Sequence, residues 1–268
     1  MPRHAFRLLA AVGLLTGLST AAVDAAELKV VVALAMRAPL EELAPVFEKS
    51  SGHKLKLEYD TAGKVADKVA GEDAIDVAIL PKQPFDKAVR AAKMVGGTTT
   101  ALAQVPIAVA VKKGAPKPDI SSVEAFKKTL ASAKGVAHGD PAQGGAASQH
   151  VAQMLEKLGI AELKGKTKLF APAGGKGFPE VAAEMLQKGE SDIALLPISE
   201  LQRVQGIDIV GPLPAELQSP DLTFFAGTPW SCEHPLEAKA FVDFLRSEQA
   251  KEVYKAKGLE PVKPAASG

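Results

Sequence analysis

The sequence predicts an α/β protein made of two lobes, and three observations lead to this prediction. Short apolar segments that suit buried strands alternate with segments of helical periodicity. The alternation occurs in two successive sets along the chain, without a residue-level repeat. After an N-terminal leader about 240 residues remain, which is enough to bury a core in each of two lobes.

The leader has the order of a secretory signal peptide. Arg3, His4 and Arg7 precede an apolar run over residues 8–18, and small residues then lead to Val23-Asp24-Ala25. Valine and alanine stand where a signal peptidase reads, and the run is too short to span a bilayer. We therefore expect cleavage near Ala25 and a periplasmic protein that is not embedded in the membrane. The alternative is an amphipathic N-terminal helix of the folded domain.

The first strand and helix follow directly. Residues 28–34 form a continuous apolar run, which predicts a strand buried on both faces. Pro39 suits the start of a helix in which Leu43 and Phe47 follow at helical spacing. Pro45 lies inside this pattern and predicts a kink.

The rest of the first set repeats this order. We expect strands over residues 54–59, 76–80 and 106–111, helices after residue 61 and over 85–94, and a passage between the lobes at 96–100.

A second set of strands and helices follows, and the last part of the chain then returns to the first lobe. We expect helices from residue 121, after 144–145, after 173–177 and around 200–204, and strands over 135–138, 167–171 and 192–196. The return consists of strands over 207–210 and 222–227 and one long helix from 235 to about 257 that Gly258 ends. This order predicts one lobe from residues 26–104 and 212–268 and a second from 105–211.

Composition excludes several classes of function. Loss of the leader removes Arg3, Arg7 and Asp24 from 32 basic and 31 acidic residues, which leaves 30 of each. With one Trp and two Tyr for base stacking, this balance argues against a nucleic-acid partner. Cys232 is the single cysteine, so no internal disulfide forms. The histidines are scattered, and no nucleotide or nucleophile motif is present, so we expect neither a metal nor a cofactor.

Four cations follow predicted strands. Arg37, Lys64 and Lys82 come after the first three strands, and Lys176 lies in a glycine-rich turn of the second lobe. The carboxyl ends of strands line the ligand cleft of a wound sheet. An arginine fork matches a planar carboxylate, and lysine supplies a point charge. The pattern favours an organic di- or tricarboxylate as the ligand. The alternative for each residue is a solvated surface charge.

Two glycine-rich turns add backbone donors. Gly144, Gly145 and Ser148 lie at a strand-to-helix junction, and Gly175 lies in the second turn. Free N–H groups and the helix dipole at such a junction attract an anion. His150 follows in the first turns of the helix and is the candidate acid or base if the protein is an enzyme. The alternative for it is a half-packed surface histidine.

The order of these blocks resembles the molybdate-binding proteins of ABC importers, a group within the type II periplasmic binding fold. The resemblance covers residues 29–260 and rests on DVAIL at 76–80, Gly139-Asp140-Pro141, APA at 171–173 and AFVDFL at 240–245. It implies two lobes joined by crossover strands, an oxyanion held at helix N-termini in the cleft between them, and an ABC permease as partner.

The ligand loops depart from that group. The resemblance places a hydroxyl where this chain has Ala35, consecutive serines where it has Thr61 alone, an alanine where it has Pro81, and a tyrosine where it has Leu196. The departures disfavour molybdate, because a tetrahedral oxyanion needs a compact shell of hydroxyls and N–H groups. The candidates for ligand contact in the first lobe are Arg37, Thr61, Ala62, Gly63, Lys64, Pro81 and Lys82.

Two functions remain open from the sequence. The first is an ABC-importer binding protein for a small organic anion. The second is an enzyme, because aconitate isomerases resemble the same group. Interconversion of cis- and trans-aconitate by an allylic proton shift needs one acid/base group and a site that stabilises a developing anion.

Overall fold

The computed structural model describes residues 25–163 and 165–262, and it consists of two α/β lobes, each built on one sheet. The predicted two-lobed α/β architecture is confirmed. The predicted leader lies outside the described residues, except for Ala25. Within the described ranges, no helix has the length and apolar character that crossing a membrane requires.

The elements follow one another in strand–helix alternation. The first part of the chain forms β1 (Glu27–Ala33), α1 (Arg37–Ser51), β2 (Lys54–Asp60), α2 (Ala62–Ala70), β3 (Val77–Pro81), α3 (Lys82–Arg90) and β4 (Thr100–Gln104). The middle part forms β5 (Ile107–Lys112), α4 (Val123–Ser132), β6 (Val136–Gly139), α5 (Ala146–Leu158), β7 (Thr167–Phe170), α6 (Phe178–Lys188), β8 (Ile193–Pro197), α7 (Ile198–Leu201) and β9 (Ile207–Pro212). The last part forms β10 (Thr223–Gly227), α8 (Pro235–Phe244), α9 (Glu248–Ala256) and β11 (Glu260–Pro261).

The two sheets share a mixed topology. The first has the order β11-β4-β10-β3-β1-β2, with β1 parallel to β2 and β3 and with β10 antiparallel to β3 and β4. The second has the order β7-β6-β8-β5-β9, with β6 parallel to β7 and β8 and with β5 antiparallel to β8 and β9. The parallel strands in each sheet lead into helices at their carboxyl ends, where ligands bind in such sheets.

The chain passes between the sheets twice. Val105 and Pro106 connect β4 to β5, and residues 213–222 connect β9 to β10. The passage predicted at residues 96–100 is wrong, because β4 pairs with β10 inside the first sheet. The lobe limits predicted at 104/105 and 211/212 stay predictions.

Apolar strands separate the helix layers, as their composition predicts. Val30, Val31 and Val32 of β1 are fully buried in the first lobe. In β5, Ile107 and Val109 pack on one side of the second sheet, whereas Ala108 and Ala110 pack on the other. Both faces of these strands are therefore covered, which explains why their apolar residues do not alternate with polar ones.

The long C-terminal helix predicted after residue 235 is two helices. α8 ends at Phe244, and the Ser247 hydroxyl accepts a hydrogen bond from Ala250 N at 3.2 Å to cap α9. The buried Tyr254 hydroxyl donates to Leu245 O at 2.9 Å, which links α9 to the residue that follows α8. The serine hydroxyl thus accepts from an N–H group at the start of α9, which in a continuous helix would bond to a carbonyl group of the preceding turn. α1, by contrast, continues past Pro45 as one helix.

Candidate anion-binding site

A small cavity of about 40 Å³ lies between the two lobes, and we call it the inner cavity. The first lobe contributes the end of β1, the turn that follows it, and the start of α2. The second lobe contributes the start of α5, Phe178 at the start of α6, and the end of β8 with α7. The walls are thus formed where strands end and helices begin, on both lobes at once.

A larger open groove of about 460 Å³ adjoins the inner cavity, and we call it the outer groove. Ala62, Ala146 and Leu222 line both spaces, so the two are neighbours that share a wall. The charged residues of the outer groove are Asp67, Lys87, Arg90 and Asp221. A ligand held in the inner cavity can extend polar groups into this groove.

The start of α2 presents an unpaired hydroxyl. Thr61 precedes the helix with extended backbone, and its side chain does not cap the helix. Its Oγ1 is buried and has no hydrogen-bond partner within the described ranges, although Thr61 lines the inner cavity. Buried polar groups nearly always have a partner, so an unpaired hydroxyl at a cavity wall points to a ligand.

The start of α5 presents backbone donors to the same cavity. Gly145 precedes this helix, and Ala146, Ala147 and Ser148 form its first turn and line the inner cavity. In the described part of the chain, the N–H groups of these three residues have no acceptor. Free N–H groups and the positive end of the helix dipole make this a site for negative charge.

Hydrogen bonds between the lobes close the site. Gly63 N donates to Gly144 O at 3.1 Å, and the Ser199 hydroxyl donates to Ala35 O at 2.7 Å. Ser199 is 1% exposed, so its bond is shielded from water. Gly144 has a φ of +74°, a left-handed conformation that favours glycine and lets the two backbones approach. The lobes therefore stand in a closed arrangement around the inner cavity.

Glu200 of α7 is the charged side chain that lines the inner cavity. It is 9% exposed, and among the described residues no hydrogen bond or ion pair engages its carboxyl group. Burial raises its pKa to about 7, an effect that nearby Arg203 reduces and Glu180 increases. The side chain therefore exchanges its proton near neutral pH. Sequence reasoning missed Glu200, although a polar Ser199-Glu200 pair directly after a buried strand is a usable signal.

The four cations predicted to converge do not line the inner cavity. Lys64, Lys82 and Lys176 pair with Asp60, Asp86 and Glu184 at 3.5, 2.6 and 2.7 Å, and Arg37 pairs with Glu41 at 2.7 Å.

Arg37 also lies over the Tyr59 ring at 5.1 Å. The reason that these side chains are engaged elsewhere is local. Arg37 and Lys82 each pair with a carboxylate four residues later on the same helix. Lys64 of α2 pairs with Asp60, the last residue of β2. These four cations line neither the inner cavity nor the outer groove, and the role of each in ligand contact stays a prediction.

The structure brings together predicted residues that lie at or near the starts of α2 and α5. Thr61, Ala62, Gly145 and Ser148 line the inner cavity, and Gly63, Gly144 and His150 line the outer groove. Pro81 is buried at the end of β3 and lines neither space. Gly175 and Lys176 lie in a tight turn closed by hydrogen bonds between Ala173 and Lys176, away from both spaces.

His150 lies in the outer groove with one ring nitrogen engaged. Its Nε2 lies 2.9 Å from the carbonyl oxygen of Leu217, which can only accept a hydrogen bond. Burial lowers the pKa of His150, with a smaller opposing effect from that hydrogen bond. The imidazole is thus neutral at pH 7 with Nε2 protonated. Its catalytic role stays a prediction. Lys87 and Arg90, which the sequence analysis did not select, lie in the same groove.

A separate cluster around Asp76 is structural. Asp76 accepts hydrogen bonds from Lys29 N at 2.8 Å and from His234 N and Nδ1 at 3.0 and 3.2 Å, and Cys232 Sγ lies 3.5 Å away. Burial raises the pKa of the Cys232 thiol to about 11, so the thiol is not a ready nucleophile. Within the described ranges, no group of histidine, cysteine and acidic side chains has the arrangement of a metal site.

Comparison with known proteins places this geometry in a family. Residues 28–260 match the family model described as bacterial extracellular solute-binding protein. The chain belongs to the bacterial extracellular solute-binding protein family. The match begins in β1 and ends in β11, so both lobes and the site between them are parts of the family fold.

Individual relatives of this solute-binding protein have different activities. It is 33% identical to an aconitate isomerase of Pseudomonas sp. over 231 residues, which is 83% of each chain. It is 26% identical to the molybdate-binding protein of Azotobacter vinelandii over 259 residues, 94% of this chain and 96% of the relative.

The substrate-binding domain of a putative molybdenum ABC transporter from Clostridium difficile superposes with a TM-score of 0.71 at 18% identity. That superposition covers 89% of this chain and 100% of the other, and it shows the fold. The chain has the type II periplasmic binding fold, and the resemblance to the molybdate-binding group is confirmed.

Proposed function

We propose that this solute-binding protein is a periplasmic isomerase that interconverts the cis and trans isomers of aconitate. The observation that carries the proposal is the inner cavity, where the free N–H groups of α5 and the unpaired Thr61 hydroxyl meet between closed lobes. The identity of 33% with an aconitate isomerase over most of both chains supports the reaction type.

The donors suit a carboxylate. Helix N-termini and hydroxyls can hold a negative group without a cation when water is excluded, because the local dielectric is low. α2 and α5 supply two such N-termini, and Thr61 and Ser148 add hydroxyls. In the closed arrangement these donors can also stabilise charge that develops on a bound carboxylate during reaction.

The size of the two spaces suits a ligand with several carboxylates. The inner cavity of about 40 Å³ accommodates one compact group, whereas the outer groove of about 460 Å³ adjoins it. Lys87 and Arg90 in the groove supply positive charge for further carboxylates. A tricarboxylate can therefore place one end in the inner cavity and another at these cations.

A second candidate is an ABC-importer binding protein for a small organic anion. Family membership and the likeness to a molybdenum-transporter domain support it, and closure of two lobes is a common way to enclose a transported ligand. In this case the partner is an ABC permease, and the anion leaves unchanged.

The experiment that separates the two candidates is a turnover assay. Purified protein without the leader is incubated with cis- or trans-aconitate, and the isomers are separated and quantified by chromatography. The isomerase proposal expects the same equilibrium mixture from either isomer. A raised melting temperature with aconitate but no conversion supports the receptor instead. Stabilisation by molybdate or sulfate alone contradicts both carboxylate candidates.

A further inference from the structure

We infer that Glu200 is the side chain that moves the proton in the isomerisation, which rests on the proposed function. Glu200 lines the inner cavity, and in the described part of the chain no hydrogen bond or ion pair engages its carboxyl group. An occupant of so small a cavity lies against Glu200 and the N-terminus of α5 together. A receptor that only binds an anion has no need of a buried carboxyl group in the wall of the inner cavity, because the negative charge of a carboxylate opposes binding of the anion.

The proton shift balances with one carboxyl group. The Glu200 carboxylate removes a proton from the methylene carbon of aconitate, and the C–H electron pair forms a new C=C bond to the central carbon. The electrons of the old C=C bond then take a proton from the Glu200 carboxyl group at the former vinyl carbon. Because the molecule has the same connectivity after the shift, only the geometry about the double bond changes. The reaction consumes no oxidant and no second substrate.

The surroundings of Glu200 suit both halves of this transfer. Burial favours the neutral acid, Arg203 after α7 favours the carboxylate, and Glu180 of α6 opposes it. Arg203 in turn lies 3.8 Å from Glu41 of α1, which moderates its charge. The balance puts the pKa of Glu200 at about 7, so both protonation states are populated at neutral pH. The charge that develops on the substrate is stabilised by the N–H groups of α5.

Ser199 is the adjacent residue and positions Glu200. Its hydroxyl bonds to Ala35 O at 2.7 Å across the lobes, so α7 is held against the first lobe when the site is closed. Opening of the lobes breaks this bond and exposes the carboxyl group to water, which lowers its pKa toward the ordinary value for glutamate. Glu200 therefore has its neutral-range pKa in the closed form.

The test compares wild type with Glu200→Gln, Glu200→Asp and, as a matched control, Glu156→Gln, an exposed position on α5. We expect Glu200→Gln to lower the isomerisation rate at least about 100-fold while aconitate still raises the melting temperature. Glu200→Asp retains part of the rate because it keeps a carboxyl group, and Glu156→Gln behaves as wild type. In D₂O, wild type exchanges substrate methylene hydrogen for deuterium, and Glu200→Gln does not.

The outcomes separate the inference from the proposed function. If wild type converts aconitate and Glu200→Gln keeps a rate within about threefold of it, Glu200 is not the proton carrier and the isomerase function stands. If wild type converts neither isomer, the proposed function fails, and the role of Glu200 fails with it.

If Glu200→Gln does not fold, the pH profile of wild type decides. We expect kcat/KM to fall below about pH 7, and a flat profile from about pH 5.5 to 8 overturns the inference.

Discussion

The backbone N–H of Gly63 in the first lobe donates a hydrogen bond to the carbonyl oxygen of Gly144 in the second, at 3.1 Å. A Cβ atom added at Gly63 would lie 3.4 Å from that oxygen and 3.5 Å from Gly144 Cα. Any longer side chain would therefore meet the backbone of the other lobe. The two glycines allow the helix N-termini beside them to face one cavity.

Gly63→Leu is expected to oppose closure of the lobes. The added carbons press on Gly144, and overpacking of this kind costs about 1–3 kcal/mol, so the dissociation constant for the ligand rises about tenfold or more. The stability of the unliganded protein holds, because glycine is a poor helix former and Gly63 lies in α2. Titration calorimetry and urea unfolding measure the two quantities.

Gly96→Leu is the control for this prediction, since Gly96 is exposed and a Cβ there meets nothing within 4 Å. Equal loss of affinity in both variants would mean that the Gly63–Gly144 approach is not what closes the site.

Thr61→Val is expected to have opposite effects on stability and binding. It removes a buried hydroxyl that has no partner within the described ranges, so the free energy of unfolding without ligand rises by about 1 kcal/mol. A hydrogen bond to an anionic ligand is lost at the same time, and affinity falls about tenfold. Thermal melts with and without aconitate give both numbers.

Ser191→Ala is the matched control for Thr61→Val. Its hydroxyl is also buried without a partner in the described chain, but Ser191 lines neither the inner cavity nor the outer groove. We expect the same gain in stability with unchanged affinity. If Thr61→Val binds aconitate as tightly as wild type does, the hydroxyl is not a ligand contact.

Glu200→Gln is expected to stabilise the protein at neutral and alkaline pH. Burial raises the pKa of Glu200 in the folded protein to about 7 from the ordinary 4.5, so the folded state holds more protons between these values. Wild-type stability therefore falls as the pH rises from about 4.5 to 7. The variant lacks this loss, so its free energy of unfolding exceeds that of wild type by about 3 kcal/mol at pH 8, with little difference near pH 4.5.

Urea unfolding across this pH range checks the prediction, with Glu156→Gln as the control. A constant difference between Glu200→Gln and wild type at every pH would show that Glu200 does not titrate in this interval.

Asp76→Asn is expected to destabilise the first lobe. Both carboxylate oxygens of Asp76 accept hydrogen bonds, from Lys29 N on one side and from the backbone N–H groups of Glu233 and His234 on the other. An amide must turn its NH₂ group toward one set of donors, which costs about 2 kcal/mol at pH 7. Asp73→Asn, whose side chain is 65% exposed, is the control and changes stability little.

The cost of Asp76→Asn also depends on pH. Burial alone raises the pKa of Asp76, but the hydrogen bonds from Lys29 and His234 outweigh burial, and the pKa is lowered below its ordinary value of 3.8. The stability that the carboxylate contributes is present above the ordinary pKa and is lost as the pH falls through the lowered one. We expect the difference in free energy of unfolding between Asp76→Asn and wild type to narrow as the pH is lowered to about 3. A difference that widens would contradict this account.

The alternation of strands and helices could be predicted from the sequence, because local periodicity and capping residues act over a few positions. The sequence also located the turns with Thr61, Gly145 and Ser148, since a helix start after a strand is visible in composition. It did not reveal the break at Ser247, where a cap and the buried Tyr254 outweigh a continuous apolar pattern.

Which polar groups meet depends on contacts between distant segments of the folded chain. Arg37, Lys64 and Lys82 follow strands, yet each pairs with a carboxylate four residues away in the chain instead of lining the cavity. Glu200 is buried beside Ser199, whose hydroxyl bonds to the other lobe. Burial and contacts between distant segments set the charge state of a side chain, and neither can be read from its neighbours in the chain.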